Sequence, residues 1–419
     1  MIEDRRISRE INGKMRILFV TPVIPTETDG RRPFNFLRYL AKRHQVDVLA
    51  LQLPVQTMDD TVRIAKLGAN AKAFRPGGVV SAFFSIFRGE PLRVGWCRSS
   101  QLRMALRDFV RNHTVDVIHF DRMRMGQYAI DLPGVPKLID FTDSMALYLE
   151  RSMPYRIRFL DRIVDGYDLA TIPRYETKIL EHVNLGLLCS DVDLARFQQD
   201  HPSAPIEIIQ NGVNTEEFLP RTRGNVALPR CIITGSLFYF PNIDAIRYYK
   251  EEIWPRVRMR LGGIKTEIIG ARPTPEISNL NDKMGLIVKA NVKRMADHLY
   301  QEDVYVCPLR VGAGVRNKLL EAMAAGMAVV TTALGCEGLG VRHNEEVIIA
   351  ENPAQFAEAI VQLVNNPESR AKLGMQARQY VEQNHHLDII GEKLEQAYAR
   401  VVEEGPVQPP VKNEDQGMK

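Results

Sequence analysis

The sequence predicts an α/β protein of two Rossmann-like, doubly wound domains facing each other across a cleft. Three observations predict it. Short apolar runs alternate with amphipathic stretches from Met15 onward, as strands covered on both faces by helices do. The pattern halts in a Pro-, Gly- and Asn-rich stretch near 211–229 and then restarts. The 419 residues exceed the roughly 250–300 at which one hydrophobic core stops growing.

The elements follow in order. MRILFVT (Met15–Thr21) is a strand, PVIPTETDG a loop, and RPFNFLRYLAKRH places Phe34, Leu37, Leu40 and Ala41 at the helical period. Further strands are expected at Val46–Leu51, Val115–His119, Lys137–Asp140, Gly186–Cys189 and Glu207–Ile209, with helices at Gln101–Arg111 and 157–182. In the second half CIITG (Cys231–Gly235) is a strand and about Asn242–Leu261 a helix. Strands recur at Thr266–Gly270, Leu286–Val288, Val304–Pro308, Ala328–Thr332 and Glu346–Ile349. The expected division is a polar extension over 1–14, a first domain over 15–210, a linker over 211–229 and a second domain over 230–385. A helix over 386–403 packs back on the first domain, and a disordered tail occupies 404–419.

Composition narrows the class. With 45% apolar and 25% charged residues the chain is an ordinary globular protein, and a net charge of +4 gives no case for a nucleic-acid partner. Five scattered cysteines without a CxxC pair support neither a disulfide framework nor a zinc site, and fit a reducing, cytoplasmic compartment. The first fourteen residues lack an apolar signal core, and no run approaches about 18 uncharged apolar residues, so neither secretion nor membrane spanning is expected. VVSAFFSIFRGEPLRVGWCR (Val79–Arg98) mixes aromatic and basic residues; it suits either peripheral contact with an anionic membrane or a buried helix and loop.

The richest chemistry lies in VYVCPLRVGAGVRNKLLEAMAAGMAVVTT (Val304–Thr332), a strand, a loop with Gly312 and Gly314, a helix beginning near Val315, and another strand. Glycines let backbone N–H groups approach an anion, the helix N-terminus adds its dipole, and Arg316 and Lys318 add full positive charge. Glu321, three residues beyond Lys318, shares its face and suits the vicinal hydroxyls of a ribose. The plainer alternative makes the glycines turn residues and Glu321 an i,i+3 partner of a solvated Lys318.

This segment resembles the donor site of the retaining GT4 family of GT-B glycosyltransferases, especially its exopolysaccharide (PEP-CTERM-associated) sugar transferases. QNGVNTEEF (Gln210–Phe218), GSLFYFPNIDAIRYYKEEIWPRVR (Gly235–Arg258), EIIGARP (Glu267–Pro273) and LGCEGLGV (Leu334–Val341) support it, and the similarity spans about 15–400. The resemblance implies a GT-B fold with an acceptor-side first domain and a nucleotide-sugar-binding second domain. It implies a UDP- or GDP-sugar as co-substrate and a glycan or lipid-linked acceptor. Glu321 would hold the ribose, while Gly235, Ser236, Gly312, Gly314, Arg316 and Lys318 would hold the diphosphate without a metal. One position departs: the family's first Glu, eight residues before the ribose Glu, is Ala313 here. In the first domain His119 ends the run VDVIH and should project from a strand's carboxyl end into the cleft, where the resemblance gives it contact with the transferred sugar; a buried, hydrogen-bonded histidine is the other reading. Asp140, Asp143 and Ser144 in LIDFTDS could bind acceptor hydroxyls, with helix N-capping an equal use for Asp143 or Ser144. Gly30 would let the loop after the first strand approach substrate, where Arg31 or Arg32 could meet an anion; a simple helix-start loop is the equal alternative.

Other functions compete. GT-B folds also carry sugar-nucleotide epimerases and phosphorylases, and Ala313 admits a catalytically silent nucleotide-sugar-binding subunit. A dinucleotide oxidoreductase fits poorly, because MRILFVTPVIPTETDG contains no GxGxxG.

Overall fold

The computed structural model describes residues 13–408 except 157, 225–227 and 282–283. Apart from residues 13–14 and 404–408, the expected N-terminal extension and C-terminal tail lie outside them. The chain forms two compact units, one ending at Ile209 and resumed from Gly391, the other Gln210–Ile390.

The first unit is a seven-stranded sheet in the order β3-β2-β1-β4-β5-β6-β7, every neighbouring pair parallel. Its strands are β1 (Arg16–Thr21), β2 (Gln45–Leu51), β3 (Asn70–Phe74), β4 (Val117–Asp121), β5 (Lys137–Thr142), β6 (Leu185–Leu188) and β7 (Ile206–Ile208). The second is a six-stranded parallel sheet in the order β10-β9-β8-β11-β12-β13. It comprises β8 (Cys231–Thr234), β9 (Thr266–Gly270), β10 (Leu286–Ala290), β11 (Val304–Cys307), β12 (Ala328–Thr331) and β13 (Ile348–Ile349). Every residue of β4, β8, β9, β11 and β12 is buried, as a sheet covered on both faces demands. All five cysteines are buried and unbridged.

Several expectations shift for physical reasons. Strand β3 escaped the sequence because NAKAF lies at the sheet edge and needs no apolar run. The expected helix Asn242–Leu261 is broken into Phe240–Tyr248, a π turn Tyr249–Ile253, and Trp254–Arg260. Pro255 has no N–H to continue the ladder, and the π turn absorbs the interruption. The expected linker begins within the second unit, where Asn211 Nδ2 donates to the Val315 carbonyl and Arg221 pairs with Asp297 at 2.6 Å. The helix Leu387–Glu404 belongs to the first unit from Gly391 on, where a Cβ on Gly391 would lie 2.3 Å from Tyr39 Cγ. In the same helix, Glu395 meets Tyr39 Oη and His44 Nε2, each at 2.6 Å.

Candidate functional site

In an open parallel sheet, ligands bind beyond the strands' carboxyl ends where the strand order reverses. In the second unit that point lies between β8 and β11. The loop after β8 holds Gly235 and Ser236, and the loop after β11 runs from Pro308 to Arg316. Sequence-predicted residues from both loops therefore meet at the position the topology favours.

The loops are bolted together by the helix that follows β8. Asn242 donates through Nδ2 to the Ser236 carbonyl at 3.0 Å and accepts through Oδ1 from Lys318 Nζ at 2.8 Å. Arg310 pairs with Asp244 at 2.8 and 3.1 Å, and its guanidinium lies over the Tyr248 ring. Gly235 has φ +148°, and a Cβ there would fall 2.6 Å from Asn242 Nδ2. Gly270, ending β9, has no room for a side chain either, because a Cβ would sit 1.7 Å from the Gly235 carbonyl oxygen. Asn242, Asp244 and Arg310 were missed by sequence reasoning. The available signal was PNIDA, an Asn and an Asp two residues apart in the first turns after a strand-end glycine.

The glycine loop is shaped by its own backbone. Gly312 (φ +140°) and Gly314 (φ +77°) occupy conformations side chains resist. The helix starts at Asn317, two residues later than expected, with Arg316 as its N-cap residue. Arg316 Nη1 donates to the carbonyls of Ala313 and Gly314, while its buried Nη2 has no hydrogen-bond partner. Arg316 is thus the loop's internal clamp with one donor to spare, and Ala313 contributes its carbonyl to that clamp. Burial, reinforced by Arg316, holds the Lys318 ammonium below its ordinary pKa. Glu321 lies one turn along, buried in the same helix.

The corresponding reversal in the first unit lies between β1 and β4. His119 is not at the strand's carboxyl end. The strand runs two residues further, to Asp121, and His119 sits in the core, stacked on Phe19 with ring centroids 4.4 Å apart. Its Nδ1 lies 2.8 Å from the Tyr398 hydroxyl and its Nε2 3.8 Å from Asp140 Oδ2. The apolar run VDVIHF fixed the strand's identity but hid its end, because Asp121 is a charged residue inside a buried strand. Asp140 is also buried: Oδ2 accepts from Arg32 Nε at 2.7 Å and Oδ1 from the Thr142 backbone N–H at 2.9 Å. Ser144 caps the helix Met145–Ser152 by accepting from the Leu147 N–H, and its own N–H donates to Asp193. Asp143 opens the turn just before that cap. Gly30 (φ +69°) opens the helix Arg31–Leu40, and Arg31 donates to the Glu27 carbonyl at 2.7 Å.

Two groups in β4 titrate in opposite senses. Burial lowers the His119 pKa to about 4, and burial raises that of Asp121, whose two oxygens lack hydrogen-bond partners, to about 6. Between about pH 6 and 4 the unfolded chain carries a proton on His119 that the folded one lacks, so acid weakens folding there. In the same window folded Asp121 holds a proton that the unfolded chain has lost, so acid strengthens folding. The two nearly offset in the parent. His119→Phe is therefore expected to make the first unit more stable at pH 5 relative to pH 7, and Asp121→Asn less so, as read from urea midpoints. Parallel pH profiles for parent and variants would contradict both assignments.

Residues 229–366 match the family described as Glycosyl transferases group 1. An uncharacterized 44.6 kDa protein in the cps region of Klebsiella pneumoniae is 25% identical over 162 residues, covering 37% of this chain and 42% of that one. Spore coat protein SA of Bacillus subtilis (strain 168) is 31% identical over 101 residues, 23% and 27% of the two chains. The matches thus span less than half of these curated relatives. Among solved structures, a glycosyltransferase from Rickettsia africae ESF-5 superposes with a TM-score of 0.66 at 13% identity, covering 93% of this chain and 99% of that one. Anabaena HepE, in complex with UDP and glucose, gives 0.64 at 11%, covering 92% and 99%. At such identities the likeness speaks for the fold alone. The chain thus joins a segment similar to the glycosyl transferases group 1 family, residues 229–366, to the two-sheet GT-B fold.

Proposed function

We propose that this chain is a retaining GT4 glycosyltransferase, similar to exopolysaccharide-associated sugar transferases. It moves a sugar from a nucleoside diphosphate sugar to a glycan or lipid-linked acceptor in cell-surface polysaccharide synthesis. The observation that carries the donor side is that Asn242 joins the Gly235–Ser236 loop to Lys318 while Asp244, in the same helix, holds the 308–316 loop through Arg310, at the reversal point of the second sheet. UDP in the HepE structure, and the cps region named for the Klebsiella relative, favour a nucleotide sugar and a polysaccharide product. Lys318, Arg316 and the loop N–H groups stabilise the negative charge that the diphosphate gains as the glycosidic bond loosens, and Glu321 holds the ribose. No metal is required by this scheme. Gly30 and the residues around Asp140 and Asp143 supply the acceptor side. The enzyme works in the cytoplasm, with peripheral contact at the inner face of the membrane.

A thermal-shift series with UDP, GDP, ADP and their sugars tests the reading. A ligand at about 100 times its dissociation constant stabilises by about 2.7 kcal/mol, so one base should stand out. Transfer with that donor is expected to persist in excess EDTA; loss restored by magnesium or manganese would move the leaving-group charge onto a metal. Ala313, where the family has a Glu, favours one second reading, a silent sugar-nucleotide-binding subunit. Binding without turnover over a broad acceptor panel would establish it, and an acceptor-independent change of the sugar would indicate an epimerase.

A further inference from the structure

The helix Gly78–Ile86 is inside out. Ser85 is fully buried and packs with Ser81 against Gly95, where a Cβ would lie 2.1 Å from Ser85 Oγ and 2.5 Å from the Ser81 carbonyl oxygen. Its opposite face carries Val80, Phe83, Phe84 and Phe87 at the i, i+3, i+4, i+7 spacing of one helical stripe. Phe83 and Phe84 are 55% and 54% exposed, and Phe87 73%. The three rings pack on one another, with centroids 5.6–6.4 Å apart.

A second apolar stripe joins it. In the helix Phe159–Leu180, Leu160, Ile163 and Val164 are exposed and share the i, i+3, i+4, i+7 face with Tyr167. The Tyr167 hydroxyl reaches the Ile86 carbonyl, at the end of the first stripe. Two elements far apart in sequence therefore meet at this contact, each with an exposed apolar stripe of the kind that marks an interaction site. Of the basic residues that the sequence placed in this region, Arg93 is taken up by Asp165 and Asp168, and Arg98 by Glu90. The exposed basic residues are Arg75 and Arg88, flanking the first helix, and Arg158 and Arg162, at the start of the second. Arg88 also lines a cavity of about 530 Å³ whose walls hold five basic side chains, Arg88, Arg98, Arg103, Arg107 and Lys178, against two acids, Glu90 and Asp131.

We propose that this surface of the first unit docks on a bilayer containing anionic lipid. Phe83, Phe84, Phe87, Leu160 and Ile163 enter the interface, while Arg75, Arg88, Arg158 and Arg162 meet lipid phosphates. The basic rim selects this occupant over an uncharged apolar partner: Lys and Arg side chains near an anionic membrane are drawn to its surface charge, and apolar burial adds to that attraction. The proposal sharpens the peripheral contact in the reading above and rests on none of its donor chemistry.

The test is co-sedimentation of the full chain with phosphatidylcholine vesicles, pure or containing about 30 mol% phosphatidylglycerol. The parent is expected to bind the anionic vesicles and to release at high salt. Phe83→Ser/Phe87→Ser and, separately, Leu160→Ser/Ile163→Ser should each weaken binding at least tenfold, and Arg88→Glu should weaken it with a smaller salt response. All of them should keep the nucleotide thermal shift, which separates failure of docking from failure of the donor site. No binding by the parent, equal binding by parent and variants, or a parent dimer that the serine variants disperse would each overturn the proposal.

Discussion

Lys318→Ala is expected to weaken nucleoside diphosphate binding by roughly 10- to 150-fold while leaving nucleoside binding unchanged, because a nucleoside carries no phosphate for Nζ to hold. That range corresponds to one charge-assisted hydrogen bond of about 1.5–3 kcal/mol. Glu321→Ala should weaken both ligands, since both present the ribose. The magnitude itself discriminates, because an exposed ion pair between the two residues would be worth only about 0–1 kcal/mol. The structure sharpens the expectation. Lys318 does not dangle in solvent; Asn242 aims it at the loop after β8, and burial lowers its pKa, leaving a cation short of charge compensation. Asn242→Ala should therefore reproduce part of the Lys318 loss without touching the charge, by releasing the ammonium from the Gly235–Ser236 loop. Isothermal titration with the nucleoside and its diphosphate measures all three variants. If Lys318→Ala and Glu321→Ala both bind like the folded parent, the donor site must be sought elsewhere.

The loop after β11 and the helix that follows it were legible because backbone chemistry writes itself into sequence. Gly312 and Gly314 have positive φ, Arg316 and Lys318 stand at the start of a helix where bare cations are unfavourable, and each strand is a short apolar run. What remained hidden depends on partners distant in the chain. Nothing near Asn242 announces that it will bridge Ser236 to a lysine 76 residues away. Nor does VDVIHF reveal that its histidine will be covered by Tyr398, 279 residues on. The aromatic helix shows the same limit from the other side. Val79–Arg98 was readable as membrane-facing or buried, and the fold divides it: the phenylalanines are exposed, while Arg93 and Arg98 turn inward to carboxylates. The stripe at Leu160–Val164 joins that surface only through tertiary structure.

Arg32→Ala is expected to destabilise the first unit by about 3–5 kcal/mol, the cost of removing one partner of a buried ion pair. Arg32 and Asp140 side chains are 4% and 1% exposed, and Nε meets Oδ2 at 2.7 Å. Burial pulls against the guanidinium's charge, yet Asp140, with Cys189 and Asp121, keeps the Arg32 pKa raised. Without Arg32, Asp140 would keep its bond from the Thr142 N–H but lose its counter-charge among apolar strands, beside an already unpartnered Asp121. A loss of that size is a large share of a domain's usual 5–15 kcal/mol or so. Arg32→Lys should recover little, because a point charge on a flexible stem does not reproduce the planar guanidinium that also lies 4.8 Å over the Phe36 ring. Arg32→Met/Asp140→Leu should recover most of it, since removing both charges leaves nothing uncompensated. The two tryptophans make the measurement unit-specific: Trp96 reports the first unit and Trp254 the second. In a Trp254→Phe background, urea unfolding followed by Trp96 fluorescence should show the large shift, whereas the Trp254 signal in a Trp96→Phe background should show far less. A double variant as unstable as Arg32→Ala would mean that the pair's geometry, and not its charge balance, holds this end of the sheet together.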